Sequence, residues 1–143
     1  TRGGYVAAIY PAAHPEAGRI VLLAPAFAFA TGWSEMQDPA SVARWRETRW
    51  TEVFHYSDQA MRQIHYGLLE DAVNYPAFPD FHQPGLIFHG TNDAVVPIAF
   101  SREFAAGHPN TRLVEVASDH ELLNVQESIV REAIHFLSPG AGF

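Results

Sequence analysis

The chain has 143 residues, of which 48% are hydrophobic and 17% charged, and this composition is typical of one globular domain. Its net charge of −7 argues against nucleic acid or an anionic membrane as a partner, because phosphate groups need a basic face. The absence of cysteine excludes disulfides, thiolate metal ligands and a cysteine nucleophile. No apolar run is long enough for a membrane span and no signal peptide is visible, so we expect a cytoplasmic protein.

The first part of the chain predicts a helix, a buried strand and an aromatic insertion. An alanine-rich helix is predicted over residues 4–14, where Pro11 allows a kink or an early stop. Residues 19–24 are a continuous apolar run, which is typical of a strand covered on both faces. The mixture of aromatic and charged residues that follows is too aromatic for a linker, and we predict that residues 28–57 are a helical lid insertion.

The second part of the chain alternates helices with strands. Residues 58–74 have an amphipathic pattern with Asp58 at a plausible N-cap, which predicts a helix. The pattern then predicts a strand, a helix, a strand and a helix, at residues 85–89, 98–107, 112–116 and 121–137. This order indicates an α/β fold in a single domain over residues 1–143, with a parallel sheet joined by crossover helices.

The outer edge of strand 19–24 lacks an obvious partner in this sequence. An unpaired apolar edge is an association hazard, because its backbone groups can pair with another chain. We therefore expect either a missing upstream segment or a second copy of the chain to cover this edge.

Two short motifs near the C-terminus carry the candidate chemistry. Asp93 lies in HGTNDAVVP (89–97), directly after one predicted strand, and His120 lies in SDHEL (118–122), after the next. Because the C-terminal ends of parallel strands meet at one edge of a sheet, we expect the two side chains to form a hydrogen-bonded acid–base pair. Two alternatives stay open: Asp93 could be a turn residue that bonds its own backbone, and Asp119 could be the partner of His120. Of the other histidines, His89 is expected nearest this site.

Four segments together resemble a known superfamily: TRGGY (1–5), VLLAPAF (21–27), LIFHGTND (86–93) and SDHEL (118–122). They are similar to the C-terminal half of α/β-hydrolases, and within them to the serine-hydrolase-like YqiA/YcfP group. The resemblance implies an α/β-hydrolase-type sheet that lacks its N-terminal strands.

The resemblance also implies residue roles and an activity. Asp93 corresponds to the triad acid, His120 to the general base and Thr1 to the nucleophile position, where the superfamily has serine within G-x-S-x-G. The backbone N–H of Arg2 would be one oxyanion donor. The implied activity is hydrolysis of a small carboxylic ester or thioester, with a small-molecule acyl substrate and no cofactor.

Several alternatives remain open at the sequence level. Thr1 could be activated by His120, or it could act as an N-terminal nucleophile with its own α-amino group as the base. The domain could also be a non-catalytic α/β-hydrolase-like module that binds a ligand or a partner. Phe27, Trp33 and Trp45 are expected to contact substrate, although each could be a core anchor instead. The histidine spacing does not indicate a zinc site.

Overall fold

The computed structural model describes residues 2–55 and 58–138, with the side chains of residues 33–36 left undescribed. The chain divides into two compact units. Residues 28–77 form one unit, and residues 1–27 together with 78–143 form the other. No helix in the described part of the chain is both long enough and apolar enough to cross a membrane.

The helices and strands follow one another in chain order with the following bounds: α1 (Arg2–Ala13), β1 (Ile20–Leu23), α2 (Phe29–Met36), α3 (Pro39–Thr48), β2 (Trp50–His55), β3 (Ala60–His65), α4 (Gly67–Ala72), β4 (Gly85–Gly90), α5 (Ile98–Gly107), β5 (Thr111–Val116) and α6 (Gln126–Leu137). A short 3₁₀ turn, Leu123–Val125, precedes α6. Helix α1 continues through Pro11 to Ala13, so the proline does not end it early.

A three-stranded parallel sheet in the order β1-β4-β5 forms the larger unit. The central strand β4 is buried along its whole length, because it has a strand on each side and its apolar side chains pack into the core. Leu86 and Phe88 of this strand share a core cluster with Leu122, Ile129 and Phe136. These observations confirm the predicted α/β fold with a parallel sheet and flanking helices.

Strand β1 is less covered than its apolar sequence predicts. Leu22 is buried at 1% exposure, but Leu23 is 46% exposed. Within residues 2–55 and 58–138, β1 pairs with β4 and lies at one edge of the sheet. An apolar run therefore predicted the strand correctly and its two-sided coverage wrongly, and a covering partner for this edge stays a prediction.

The smaller unit differs from its sequence prediction. The helix predicted over 58–74 is wrong, because residues 60–65 form β3 and pair antiparallel with β2, from Trp50↔His65 to His55↔Ala60. Only Gly67–Ala72 of the predicted segment is helical. Asp58 accepts a hydrogen bond from Nε of Arg62 at 2.9 Å instead of capping a helix.

The core of this unit explains why pairing prevails over the helical pattern. Ile64 lies across the hairpin from Thr51, and it packs against a buried cluster of Trp45, Tyr66 and Leu69. The carbonyl of Ile64 also accepts the indole N–H of Trp45 at 2.9 Å. Over six residues a helical and an alternating pattern are hard to separate, so tertiary packing decides between them.

We expect Trp45→Phe to destabilise the protein by about 1–2 kcal/mol, because it removes the buried indole donor to the Ile64 carbonyl. Chemical denaturation measures this loss. Trp50→Phe is the matched control, since Trp50 is 51% exposed and should tolerate the change. Equal stability losses in the two variants would contradict the assigned role of the indole donor.

Candidate active site

The loops that follow β4 and β5 lie against each other. The N–H of Thr91 donates to the carbonyl of Val116 at 2.9 Å, and the N–H of Asn92 donates to the carbonyl of Ser118 at 3.0 Å. Gly90 permits this approach: a Cβ atom there would lie 2.5 Å from the Ser118 oxygen and closer still to the Asp119 oxygen. The close contact between the loops of the candidate acid and the candidate base therefore depends on the absence of a side chain at position 90.

Asp93 uses its two carboxylate oxygens differently. Oδ1 accepts the backbone N–H groups of Val95 and Val96, each at 2.8 Å. Oδ2 lies 2.7 Å from Nδ1 of His120. Asp93 is thus both the turn residue of one sequence alternative and the hydrogen-bond partner of the histidine.

The pair formed by Asp93 and His120 is largely shielded from solvent. The carboxylate side chain is fully buried and the imidazole is 10% exposed. Asp119, the rival partner, points elsewhere and accepts the N–H of Glu121 at 3.0 Å. Among the described residues, Nε2 of His120 has no hydrogen-bond partner, so this nitrogen is available to a reacting group.

The environment of Asp93 favours its ionised form. Burial alone would raise the pKa of this carboxyl group. Hydrogen bonds from His120 and His89 oppose burial, and the amides of Val96 and Val95 add to them. Together they outweigh burial and hold the pKa of Asp93 well below its ordinary value, so the group is a carboxylate at neutral pH.

This lowered pKa makes stability dependent on acid pH. Because the folded-state pKa of Asp93 lies below the unfolded value of about 3.9, ionised Asp93 stabilises the fold above about pH 4. That contribution is lost as the pH falls from about 4 towards the folded-state pKa. We expect the free energy of unfolding to drop more steeply below about pH 4 in the parent protein than in Asp93→Asn, as measured by urea unfolding across this range. Parallel curves for the two proteins would contradict the assignment.

The start of α1 approaches the same end of the sheet. Thr1 lies outside the described residues, and Arg2 is the first residue of α1. At Gly4 a Cβ atom would lie 3.1 Å from Cα of Pro25 and 3.3 Å from the Leu23 carbonyl. The first turn of α1 therefore packs tightly against the C-terminal end of β1, the end of the sheet from which the loops of Asp93 and His120 also emerge.

The residues expected to contact substrate have different surroundings. Phe27 is 1% exposed and stacks on Phe104 with ring centroids 4.2 Å apart. Trp45 is 3% exposed within the core of the smaller unit. Burial of both favours the core-anchor alternative, while the side chain of Trp33 lies outside the described residues. The predicted insertion over 28–57 is helical in α2 and α3, but its last part is the strand Trp50–His55, so a wholly helical insertion is wrong. Its lid role stays a prediction.

A buried histidine adjoins Asp93 and contacts a buried serine, and only the histidine was expected from the sequence. Nε2 of His89 lies 3.2 Å from Oδ2 of Asp93, and Nδ1 of His89 lies 2.7 Å from Oγ of Ser101. The sequence suggested His89 by its position at the C-terminal end of a predicted strand, but nothing in the sequence marks Ser101, which lies within α5. In the described part of the chain, no group of three His, Asp or Glu side chains is placed to hold a metal ion.

Solved structures with this fold include three hydrolase-type proteins. A candidate hydrolase from Agrobacterium vitis S4 matches with a TM-score of 0.79 and 22% identity, over 95% of this chain and 58% of that protein. Mouse alpha/beta hydrolase domain-containing protein 10 matches with a TM-score of 0.73 and 18% identity, over 94% and 59%. Est1E from Butyrivibrio proteoclasticus matches with a TM-score of 0.68 and 19% identity, over 94% and 57%. The chain thus spans less than two thirds of the length of each protein, and the likeness shows an α/β-hydrolase fold.

No curated protein matches the sequence significantly. The profile of one protein family, described as the uncharacterised protein family UPF0227, matches residues 1–138. This match covers nearly the whole chain, and the chain belongs to the UPF0227 family.

Proposed function

We propose that this protein hydrolyses a small carboxylic ester or thioester through an acyl-enzyme, with His120 as the general base and Asp93 as the acid that orients it. The observation that carries the proposal is the 2.7 Å hydrogen bond between Nδ1 of His120 and a fully buried carboxylate oxygen of Asp93. This arrangement fixes one imidazole nitrogen and leaves the other available for a proton from a nucleophile. The α/β-hydrolase fold supports the same reaction class by analogy.

In the proposed mechanism the hydroxyl of Thr1 attacks the acyl carbon while Nε2 of His120 takes its proton. Ionised Asp93 stabilises the imidazolium that forms, and the backbone N–H of Arg2 donates to the developing oxyanion. The imidazolium then protonates the leaving alcohol or thiol. His120 then takes a proton from a water molecule as its oxygen attacks the acyl carbon of the acyl-enzyme. The imidazolium passes this proton to the oxygen of Thr1, which restores the hydroxyl and releases the carboxylic acid.

Hydrolysis of p-nitrophenyl acetate, p-nitrophenyl butyrate and acetylthiocholine tests the proposal, with His120→Ala as the inactive variant. His135→Ala is the matched control, because His135 is an exposed residue of α6. Turnover that is lost with His120→Ala and kept with His135→Ala would support the proposal. Turnover that both variants keep would contradict it.

One observation favours a second candidate function, a non-catalytic binding domain: position 1 is threonine where the superfamily pattern has serine. The extra methyl group of threonine crowds the strained turn that presents a nucleophile. We expect Thr1→Ser to raise ester turnover about tenfold or more if this site is catalytic. Absence of turnover in both proteins, with saturable binding of an acyl compound, would favour the binding domain.

A further inference from the structure

A second histidine, upstream of Asp93 in the sequence, also reaches its carboxylate. His89 lies on β4, and its side chain is fully buried. Its Nε2 lies 2.9 Å from the carbonyl oxygen of Val96 and 3.2 Å from Oδ2 of Asp93. A carbonyl and a carboxylate only accept hydrogen bonds, so Nε2 of His89 carries a proton, and this N–H donates to the Val96 carbonyl beside the Asp93 carboxylate.

Ser101 completes the environment of this ring. Its Oγ lies 2.7 Å from Nδ1 of His89, and both side chains are completely buried. A hydroxyl can donate or accept, so Ser101 can donate to the unprotonated Nδ1 of a neutral His89. Both ring nitrogens are then satisfied without burying a positive charge, which defines His89 as the Nε2–H tautomer.

Different N–H groups lie beside the two carboxylate oxygens of Asp93. The amides of Val95 and Val96 hold Oδ1, but the rigid carboxylate can still pivot about that oxygen through small changes in both side-chain torsions, and this pivot moves Oδ2. His120 hydrogen-bonds to Oδ2 at 2.7 Å, and the Nε2–H of His89, which is directed at the Val96 carbonyl, lies 3.2 Å from the same oxygen. The electrostatic attraction of this buried N–H group resists the pivot and keeps Oδ2 directed at His120.

We propose that His89, held by Ser101, is a positioning residue that fixes Oδ2 of Asp93 and thereby keeps neutral His120 as the Nδ1–H tautomer. In that tautomer Nε2 of His120 is unprotonated and can accept a proton. The catalytic consequence rests on the proposed hydrolase function, whereas the tautomer is a property of the folded chain. The two are therefore measured separately.

The first measurement uses two variants of similar size and ¹⁵N NMR of labelled histidine, at alkaline pH where the rings are neutral. His89→Gln keeps an N–H donor near the position of Nε2, and His89→Met removes it. We expect His120 to show a single Nδ1–H tautomer in the parent and in His89→Gln, and a mixture of tautomers in His89→Met. A single Nδ1–H tautomer in His89→Met, or a mixture in His89→Gln, would overturn the proposal.

A second variant covers the case in which His89→Met does not fold, as judged by circular dichroism. Ser101→Ala removes one hydroxyl and leaves the imidazole of His89 without its Nδ1 partner. We expect broadened ring signals from His89 and a partial loss of the single His120 tautomer. Unchanged signals from both histidines would overturn the proposal.

Ester hydrolysis separates this inference from the proposed function. Where the parent hydrolyses p-nitrophenyl acetate, we expect His89→Met to lower kcat about ten- to hundredfold with KM within about twofold, and His89→Gln to remain near the parent. A change in KM alone would contradict a positioning role. If the parent has no turnover, or if His120→Ala keeps it, the proposed function fails while the NMR result still decides the role of His89.

Discussion

Asp93→Asn should lower kcat/KM for ester hydrolysis by about four orders of magnitude while the protein remains folded. The new side-chain oxygen can still accept the amides of Val95 and Val96, but the new NH₂ group would face Nδ1 of His120 as a donor. The imidazole would then direct the lone pair of Nδ1 towards this NH₂ group and carry its proton on Nε2, where it cannot accept the proton of a nucleophile. Steady-state kinetics with p-nitrophenyl acetate measures the loss.

Asp119→Asn is the matched control for this substitution. Asp119 neighbours His120 in the sequence, but its side chain accepts the N–H of Glu121, and an asparagine oxygen can accept the same bond. We expect kcat/KM to stay within about threefold of the parent in this variant. Equal losses in the two variants would show that removing negative charge near His120 matters more than its tautomer.

The contact between Asp93 and His120 could be predicted from the sequence because it follows from the geometry of a parallel sheet. Asp93 and His120 each come directly after a strand, and adjacent parallel strands deliver such residues to one edge. Helix α5 was predicted equally well, over residues 98–107, because its apolar spacing continues through nearly three turns. A long periodic segment therefore allowed a helix to be predicted, and the ends of adjacent strands allowed a side-chain contact to be predicted.

The hairpin was not predictable from local pattern, since its stability depends on residues that pack around it. Met61 and Ile64 have helical spacing, yet Ile64 packs against Trp45 and Tyr66 from flanking segments. The same limit applies to Phe27 and Trp45, whose aromatic character suits a substrate cleft as well as a core. Only their exposure, 1% and 3%, separates the two.

The contacts that support Asp93 and His120, at Ser101 and at Gly90, could not be predicted from the sequence either. Ser101 is one polar residue within a helix, and nothing in its neighbours indicates a buried bond to His89. Gly90 reads as part of a turn motif, but its backbone makes no demand that glycine alone could meet. Glycine is required at position 90 because the backbone of Ser118 and Asp119, which are distant in the sequence, packs directly against it.

Gly90→Ala should therefore destabilise the fold by about 3 kcal/mol and separate the two candidate catalytic loops. The new methyl group would lie 2.5 Å from the carbonyl oxygen of Ser118 and 2.9 Å from its carbonyl carbon. These are backbone atoms that cannot rotate away, so the loop carrying His120 must move as a whole. That movement would strain the bond between Asn92 and Ser118 and lengthen the contact between His120 and Asp93.

Guanidinium unfolding measures the stability loss, and ¹⁵N NMR of His120 reports the broken contact as a loss of its single tautomer. Gly107→Ala is the matched control, because a Cβ atom at the C-terminal residue of α5 meets nothing within 4 Å. We expect this control to change stability by less than about 1 kcal/mol. If Gly90→Ala matched Gly107→Ala in stability and kept the His120 tautomer, close loop contact at Gly90 could not be what holds the acid and base together. In that case the four donors around Asp93 alone would account for the geometry of the site.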